Sequence, residues 1–470
     1  MSLSNVSARC RCLLARRLRA LRPFSTTSPR RELLDVSALP DRILPKYKEN
    51  SASSLLSLQW PEPPRNILII PKLHDPKVAL SARSFASHIH SEYPNLNLVF
   101  ERRVASSIQE SLPFPIYTTS DPGQFPAKID LVTTLGGDGT ILRAASLFSL
   151  HTSVPPILSF SMGSLGFLGE WKFEEYKRAW REVYMSGSCV PVSDLQDPHT
   201  QVAAKGRADD NDGCLHHNWE GVRGKSMGLT RSSKILLRHR LKVGVYDAAG
   251  VNISEQLMPT STTEPQLRIP PIPPGSEPAS EEAGGRPAPR PFHAVNELVI
   301  HRGPNPHLAI IDVYVNNHFL TEAVADGILV STPTGSTAYS LSAGGSIMHP
   351  LVKTLLITPI CARSLSFRPL GLPLNTKVSL KLSKKNRGRE LEVSIDGKRR
   401  AGVKIGVEIR VEGETVGRTP DGTWGGGVPC VIRSPGKGGG DRSGIAEDDD
   451  GWVGGLIGLL KFNYPFGEGQ

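Results

Sequence analysis

Leu135-Gly136-Gly137-Asp138-Gly139-Thr140 is the stretch on which the fold turns. Ahead of it runs Ile129-Asp130-Leu131-Val132-Thr133-Thr134, an apolar, β-branched run with the pattern of a buried parallel strand. Behind it, Ile141-Leu142-Arg143-Ala144-Ala145-Ser146-Leu147 reads as a helix. A glycine turn therefore joins the carboxyl end of a strand to the amino end of a helix. Ligands of open α/β sheets bind at that edge. Glycines without Cβ let a phosphate approach the backbone N–H groups, and the helix dipole favours the anion. Asp138, set among them, repels phosphate unless it holds a metal or a hydroxyl. That is the arrangement required to aim an acceptor hydroxyl at phosphorus. The same aspartate also suits a plain helix cap, and the turn alone does not separate the two.

Working outward, Asn66-Ile67-Leu68-Ile69-Ile70-Pro71-Lys72 reads as a strand, Val78–Tyr93 as a helix, Leu96–Phe100 as a strand and Pro156-Ile157-Leu158-Ser159-Phe160 as another. Alternating strands and helices imply a parallel, doubly wound domain over about 63–170. Beyond it, strand-like runs recur at Arg231–Tyr246, Glu297–His301, Ala309–Val315, Lys377–Leu382, Glu390–Ile395 and Val407–Val411. Short strands separated by turn signals imply an all-β unit. The expected architecture is α/β plus all-β: an N-terminal doubly wound, Rossmann-like domain and a C-terminal β-sandwich domain spanning 171–430. Polar 194–228 and Pro/Ser/Glu-rich 254–291 are expected as disordered insertions within the second domain. Residues 32–62 read as a linker or lead-in. Residues 431–470 read as a loose loop followed by an apolar tail, Trp452–Phe466, that docks onto the body.

The net charge of +10 invites a nucleic-acid reading, but residues 1–31 carry eight arginines and no Asp, Glu or Lys, leaving +2 for the rest. The basicity is that of the N-terminal segment, and no basic binding face follows. That segment is Arg- and Ser-rich, with Leu13, Leu14, Leu18 and Leu21 at helical spacing, the pattern of a mitochondrial presequence. The expected location is the mitochondrial matrix. No apolar run approaches the ~20 residues of a membrane span. The six cysteines are scattered, with Cys10 and Cys12 as the close pair, so neither a disulfide framework nor a zinc site is expected. Gly224-Lys225-Ser226 imitates the end of a P-loop, but Trp219 stands where the loop needs a glycine.

A second block runs from Ala323 to Ser346. Asp326-Gly327 makes a turn, Ile328-Leu329-Val330 a short strand, Pro333-Thr334-Gly335 a tight loop, and Thr337–Ala343 the start of a helix. Its hydroxyls and N–H groups suit phosphate or ribose, and Tyr339 suits a ring. Asn296-Glu297, ahead of an apolar strand, offers a donor and acceptors for ribose hydroxyls.

Gly136-Gly137-Asp138-Gly139-Thr140, Leu165-Gly166-Phe167-Leu168, Asn296-Glu297 and Asp326 through Gly345 stand in the order found in the NAD kinase family, of the mitochondrial NADH kinase type, which the chain resembles over about 63–170 and 231–412. Ile357–Cys361, Ser364–Pro369 and Ser394-Ile395-Asp396-Gly397 resemble that family as well. The glycine turn alone is shared with lipid kinases and phosphofructokinases; the block around Thr332–Gly345 is far more specific. The resemblance implies ATP-dependent phosphorylation of NAD+ or NADH at the adenosine ribose 2′-hydroxyl; Mg2+ or another divalent cation is expected on the ATP phosphates, with no metal site on the protein, since the sequence shows no dedicated carboxylate cage. It implies Asp138 as proton acceptor. It implies Gly136, Gly137, Gly139, Thr140, Asn296, Glu297, His307, Thr337, Ala338, Tyr339 and Ser342 as nucleotide contacts. Asp326 resembles a carboxylate that family oligomers offer on the nicotinamide side, so a homo-oligomer is expected, with neither nucleic acid nor membrane as partner. The chain departs from the family pattern near Val324 and at Ala362-Arg363. Two alternatives stay open: a lipid kinase using the same turn, and a dinucleotide sensor without catalysis.

Overall fold

The computed structural model describes residues 32–187, 232–254 and 291–433, apart from 51, 52, 94, 164, 165, 170 and 420–422, together with 452, 453 and 456. The presequence, the 194–228 insertion with its P-loop imitation, and residues 255–290 lie outside the described residues.

The glycine turn sits at the centre of an 11-stranded sheet. Its order is Leu33–Asp35, Ile116–Thr118, Asn97–Phe100, Asn66–Pro71, Leu131–Leu135, Ile157–Ser161, Val428–Val431, Lys234–Arg238, Ser53–Gln59 and Lys46–Asn50, with Trp171–Lys172 pairing off Ile157–Ser161. The pairs from Leu33 through Ile157 are parallel, and those beyond Val428 are antiparallel. Asn66–Pro71 and Leu131–Leu135 are buried on both faces, which is why they read as unbroken apolar runs. Helix Pro76–Glu92 is capped by Asp75, whose carboxylate accepts from the Lys77 and Val78 N–H groups, and lays Val78, Ala82, Phe85, Ala86 and Ile89 on the sheet.

Two features depart from the sequence expectation. Residues 32–62, read as a linker or lead-in, supply Lys46–Asn50 and Ser53–Gln59 to this sheet. The run 231–246 is not one element of the second domain. Lys234–Arg238 completes the first sheet and Leu241–Tyr246 enters another, so the chain crosses between layers at His239-Arg240.

The remaining strands form two antiparallel six-stranded sheets. One runs Phe292–Ala294, Leu241–Tyr246, Glu408–Gly413, Val378–Leu382, Ala309–Val315, His318–Ala325; the other Leu370–Pro373, Thr354–Ile360, Gly327–Ser331, Glu297–His301, Glu390–Ile395, Lys398–Lys404. Inward side chains of both, among them Val243, Val313, Leu380, Ile300, Val330 and Val393, share one core, the expected β-sandwich. The chain switches from the first of these sheets to the second at Val295-Asn296 and again at Asp326. Trp452 packs edge-on against His349 at 4.6 Å between ring centres, so the described part of the tail meets the body.

A buried ionic hub joins the layers. Arg240 donates through Nε and Nη2 to the two oxygens of Glu414, at 2.7 and 2.5 Å, with both side chains almost fully buried. The same guanidinium donates to the Phe148 and His151 carbonyls, just past the carboxyl end of the helix that begins at Asp138. Glu414 also accepts from the Gly427 N–H. His293 places both its N–H and its ring Nδ1 on the Ser149 carbonyl, and burial, with the Arg240 charge, lowers its ring to about 4, so it is neutral near pH 7. Breaking such a pair strands the other charge in the interior. Arg240→Met is expected to lower unfolding free energy by about 3–5 kcal/mol in a denaturant titration; a loss below about 1 kcal/mol would show the hub to be incidental.

Candidate active site

The turn after Leu131–Leu135 is built by sterics. A Cβ on Gly136 would lie 2.3 Å from the Thr140 hydroxyl, so only glycine fits there, and Thr140 is buried beneath the turn. A Cβ on Gly137 or Gly139 would meet nothing within 4 Å, so these two border open space, as a phosphate-facing turn requires. Gly137 caps helix Asp138–Ser146, and Asp138 is its first residue. Arg143, from the same helix, donates to the Pro71 carbonyl at 2.8 Å and pairs with Glu101 at 2.8 Å, fixing the helix to the sheet.

The Asp138 carboxylate is not spent on its own helix. Oδ2 accepts from the Phe167 N–H at 3.0 Å and Oδ1 from the Leu168 N–H at 3.1 Å. These amides belong to the Leu-Gly-Phe-Leu loop, which sequence reasoning tied to the family without giving it a task. Two amides set the plane of the carboxylate, and each oxygen keeps a further lone pair for a hydroxyl. The loop reaches that close because residue 166 is glycine: a Cβ there would lie 2.1 Å from Asp138 Oδ1. Arg238, from the last strand before the crossing, donates to the Phe167 carbonyl at 3.2 Å.

On the sandwich side, Asn296 sits at a sheet switch and Glu297 opens the next strand. Both are buried, and Asn296 Oδ1 and Glu297 Oε2 have no hydrogen-bond partner among the described residues. A buried unpaired acceptor costs stability unless a ligand satisfies it. Burial and the nearby Asp396 carboxylate push Glu297 up to about 8. The Pro333-Thr334-Gly335 loop packs directly on this dipeptide. Thr332 donates through its hydroxyl to the Val295 carbonyl at 2.5 Å and through its N–H to the Asn296 carbonyl at 2.9 Å. A Cβ on Gly335 would lie 2.2 Å from the Asn296 carbonyl oxygen. Asn296-Glu297 and the second block are therefore one packed unit.

Thr337, the last residue of a short 3-10 turn, and Ala338 after it are half-buried, and helix Tyr339–Ser342 turns Tyr339 and Ser342 outward with Ser340 buried beneath. Burial raises the Tyr339 phenol, with Cys361 and Asp326 close enough to add to it. Asp326, at the other sheet switch, is held by Arg302 of the same chain at 2.6 Å. His307 lies on the exposed loop after His301, whose base that ion pair pins. The carboxylate of Asp138 reaches Phe167 and Leu168, not the 332–342 unit. The two halves are linked through the far end of the Asp138 helix, where Lys398 donates to the Ser146 hydroxyl at 2.9 Å and the hub holds residues 148–151.

An immobilised carboxylate beside an open glycine turn, in a chain whose second unit carries two buried oxygen acceptors without partners, suits a phosphotransferase acting on a hydroxyl. Comparison with known proteins gives the family. Residues 87–188 match the ATP-NAD kinase N-terminal domain and 295–415 the ATP-NAD kinase C-terminal domain. A mitochondrial NADH kinase (pos5) of Schizosaccharomyces pombe is 34% identical, the alignment covering 92% of this chain and 85% of that protein. Its Saccharomyces cerevisiae counterpart (POS5) is 32% identical over 88% and 84%. The crystal structure of yeast NADH kinase complexed with NADH superimposes with a TM-score of 0.67 at 29% identity, covering 93% of this chain and 98% of that one. The chain belongs to the NAD kinase family.

Misplacing a reacting group by an ångström costs about 10²-fold in rate. Gly166→Ala is expected to lower turnover by about that factor in an NADP(H)-forming assay while leaving the melting temperature within a few degrees. Unchanged turnover would mean that the 166–168 loop does not set the Asp138 carboxylate.

Proposed function

We propose that the protein transfers the γ-phosphoryl group of ATP to the adenosine ribose 2′-hydroxyl of NAD(H), giving NADP(H) and ADP. Family membership supports the reaction, and the observation that carries the residue assignment is the Asp138 carboxylate, fixed by two amides beside Gly137 and Gly139. Asp138 takes the hydroxyl proton as the new oxygen–phosphorus bond forms and the bond to the bridging oxygen of ADP breaks. The transition state is loose, so positioning and charge neutralisation matter more than base strength. Gly136 and Thr140 shape the turn, Gly137 and Gly139 leave room for phosphate, and Asn296, Glu297, Thr337, Ala338, Tyr339 and Ser342 hold the dinucleotide. His307 and Asp326 flank its far end. The divalent cation arrives on the ATP phosphates.

We infer NADH as the preferred acceptor, supported by relatives named as mitochondrial NADH kinases, and a role in supplying mitochondrial NADPH. We also infer residence in the matrix after loss of the N-terminal segment, and assembly into a homo-oligomer. Assembly is supported by His318–Ala325, a sheet-edge strand that exposes Phe319 at 59% and Leu320 at 44%. Protein recovered from mitochondria should begin beyond residue 31 and sediment as more than one copy; an intact N-terminus or a monomer would remove the corresponding inference.

The deciding assay incubates the protein with Mg-ATP and either NADH or NAD+ and measures NADP(H). NADH is expected to give the higher kcat/KM, and Asp138→Asn to lose about 10²–10⁴-fold in turnover with dinucleotide binding retained. Dinucleotide binding without any NADP(H) would leave the sensor reading instead.

A further inference from the structure

Asp396 lies on the turn that joins Glu390–Ile395 to Lys398–Lys404, with Ile395 opposite Lys398 and positive φ at both Asp396 (49°) and Gly397 (71°). Such two-residue turns favour Asp-Gly for local reasons, and the dipeptide needs no other explanation as a turn. The side chain does something the turn does not require. Its Oδ2 accepts from the Val295 N–H at 2.9 Å, and its Oδ1 accepts from the Asn296 N–H at 2.7 Å and the Glu297 N–H at 3.2 Å. Its own N–H donates to the Glu297 carbonyl at 3.0 Å. Three consecutive amides thus converge on one carboxylate from a strand a hundred residues away in sequence.

We propose that Asp396 is a positioning residue of the dinucleotide site: it gathers the N–H groups of Val295, Asn296 and Glu297 and so fixes the direction in which the Asn296 and Glu297 side chains meet the substrate. The inference rests on the function proposed above. The segment 295–297 switches sheets, and Val295 and Asn296 lie between strands while Glu297 is the first ladder residue of the next one. Asp396 holds its N–H groups, and Thr332 holds the Val295 and Asn296 carbonyls. With the backbone satisfied from both sides, the two side chains are left free for a ligand, which matches the unpartnered Asn296 Oδ1 and Glu297 Oε2.

The same carboxylate also sets the charge of Glu297. Asp396 is raised by burial, but three N–H donors and the Arg400 charge on the adjoining strand favour its anion, whereas Glu297 faces no donor of this kind. Of the two, Asp396 keeps the charge and Glu297 takes the proton. Asp396 is the charged group bearing on Glu297 from the strands packed against it, and Arg400 acts on Asp396 in turn. A diol donates its hydroxyls to a carboxylate, so the dinucleotide binds the anion of Glu297. Affinity should therefore rise with pH and level off above about 8.

The test measures NADH affinity by fluorescence from about pH 6.5 to 9.5 on the full chain and on Asp396→Asn and Glu297→Gln, with kinetics alongside. Wild type should show the rise, and Glu297→Gln should be flat. Asp396→Asn should shift the rise toward acid by about half a pH unit or more, because Glu297 has lost its negative neighbour. It should also raise KM for the dinucleotide about tenfold, with kcat within about threefold and KM for ATP unchanged, because the asparagine amide sets a donor against a donor. Wild-type KM and pH profile in Asp396→Asn would overturn the proposal, as would an equal loss toward ATP. Should Asp396→Asn fail to fold, Glu297→Gln decides, since a pH rise that persists in it is incompatible with the coupling. Wild-type protein that forms no NADP(H) would overturn the function itself, a result distinct from either.

Discussion

The contact on which the molecule depends is the buried pair between Arg240 and Glu414. Arg240 stands where the chain leaves the parallel sheet for the sandwich, and Glu414 stands where it is about to return. Each alone would be a costly buried charge. Together they close the sandwich at its neck, and the spare donors of Arg240 grip the chain just past the Asp138 helix. His293 grips the same segment three residues before Asn296. One hub therefore holds the far end of the helix that presents Asp138 and the start of the segment that presents Asn296-Glu297. A rigid helix of nine residues transmits that placement to its amino end.

The two halves of the site follow the same construction. In each, a carboxylate and a short backbone segment hold one another, and glycine makes the approach possible. Asp138 is held by the amides of Phe167 and Leu168 because residue 166 has no Cβ. The Val295–Glu297 segment is held by Asp396 and Thr332, with Gly335 packed against the Asn296 carbonyl. The difference lies in what is left over. Asp138 is the held carboxylate and faces the open turn; Asp396 is the holder and leaves its neighbours' side-chain oxygens without partners. On the proposed reaction, the first carboxylate meets a hydroxyl and the second never touches substrate.

Much of this was legible in the sequence. Strands buried on both faces, such as Asn66–Pro71 and Leu131–Leu135, announce themselves as unbroken β-branched runs, and the glycine turn between strand and helix fixed the α/β half. The all-β half was legible from short strands separated by turn signals. What was missed has physical reasons. Lys46–Asn50 and Ser53–Gln59 are sheet-end strands with mixed polarity, so they lack the apolar signature of the central ones. Lys234–Arg238 and Leu241–Tyr246 are separated by two residues, and no local pattern tells that they join different sheets. The tasks of Gly166 and Asp396 depend on contacts 28 and about 100 residues away in sequence, which periodicity cannot register. Asp396-Gly397 was visible in the sequence as part of a block that resembles the family, without a task for its side chain.

The most direct test is a crystal structure of the full chain with NADH and a non-hydrolysable ATP analogue. The adenosine 2′-hydroxyl should lie within hydrogen-bond reach, about 2.6–3.2 Å, of an Asp138 carboxylate oxygen while Asn296 and Glu297 contact the same molecule. A dinucleotide held by Asn296 and Glu297 with its 2′-hydroxyl turned away from Asp138, or one that touches none of these three residues, would contradict the mechanism.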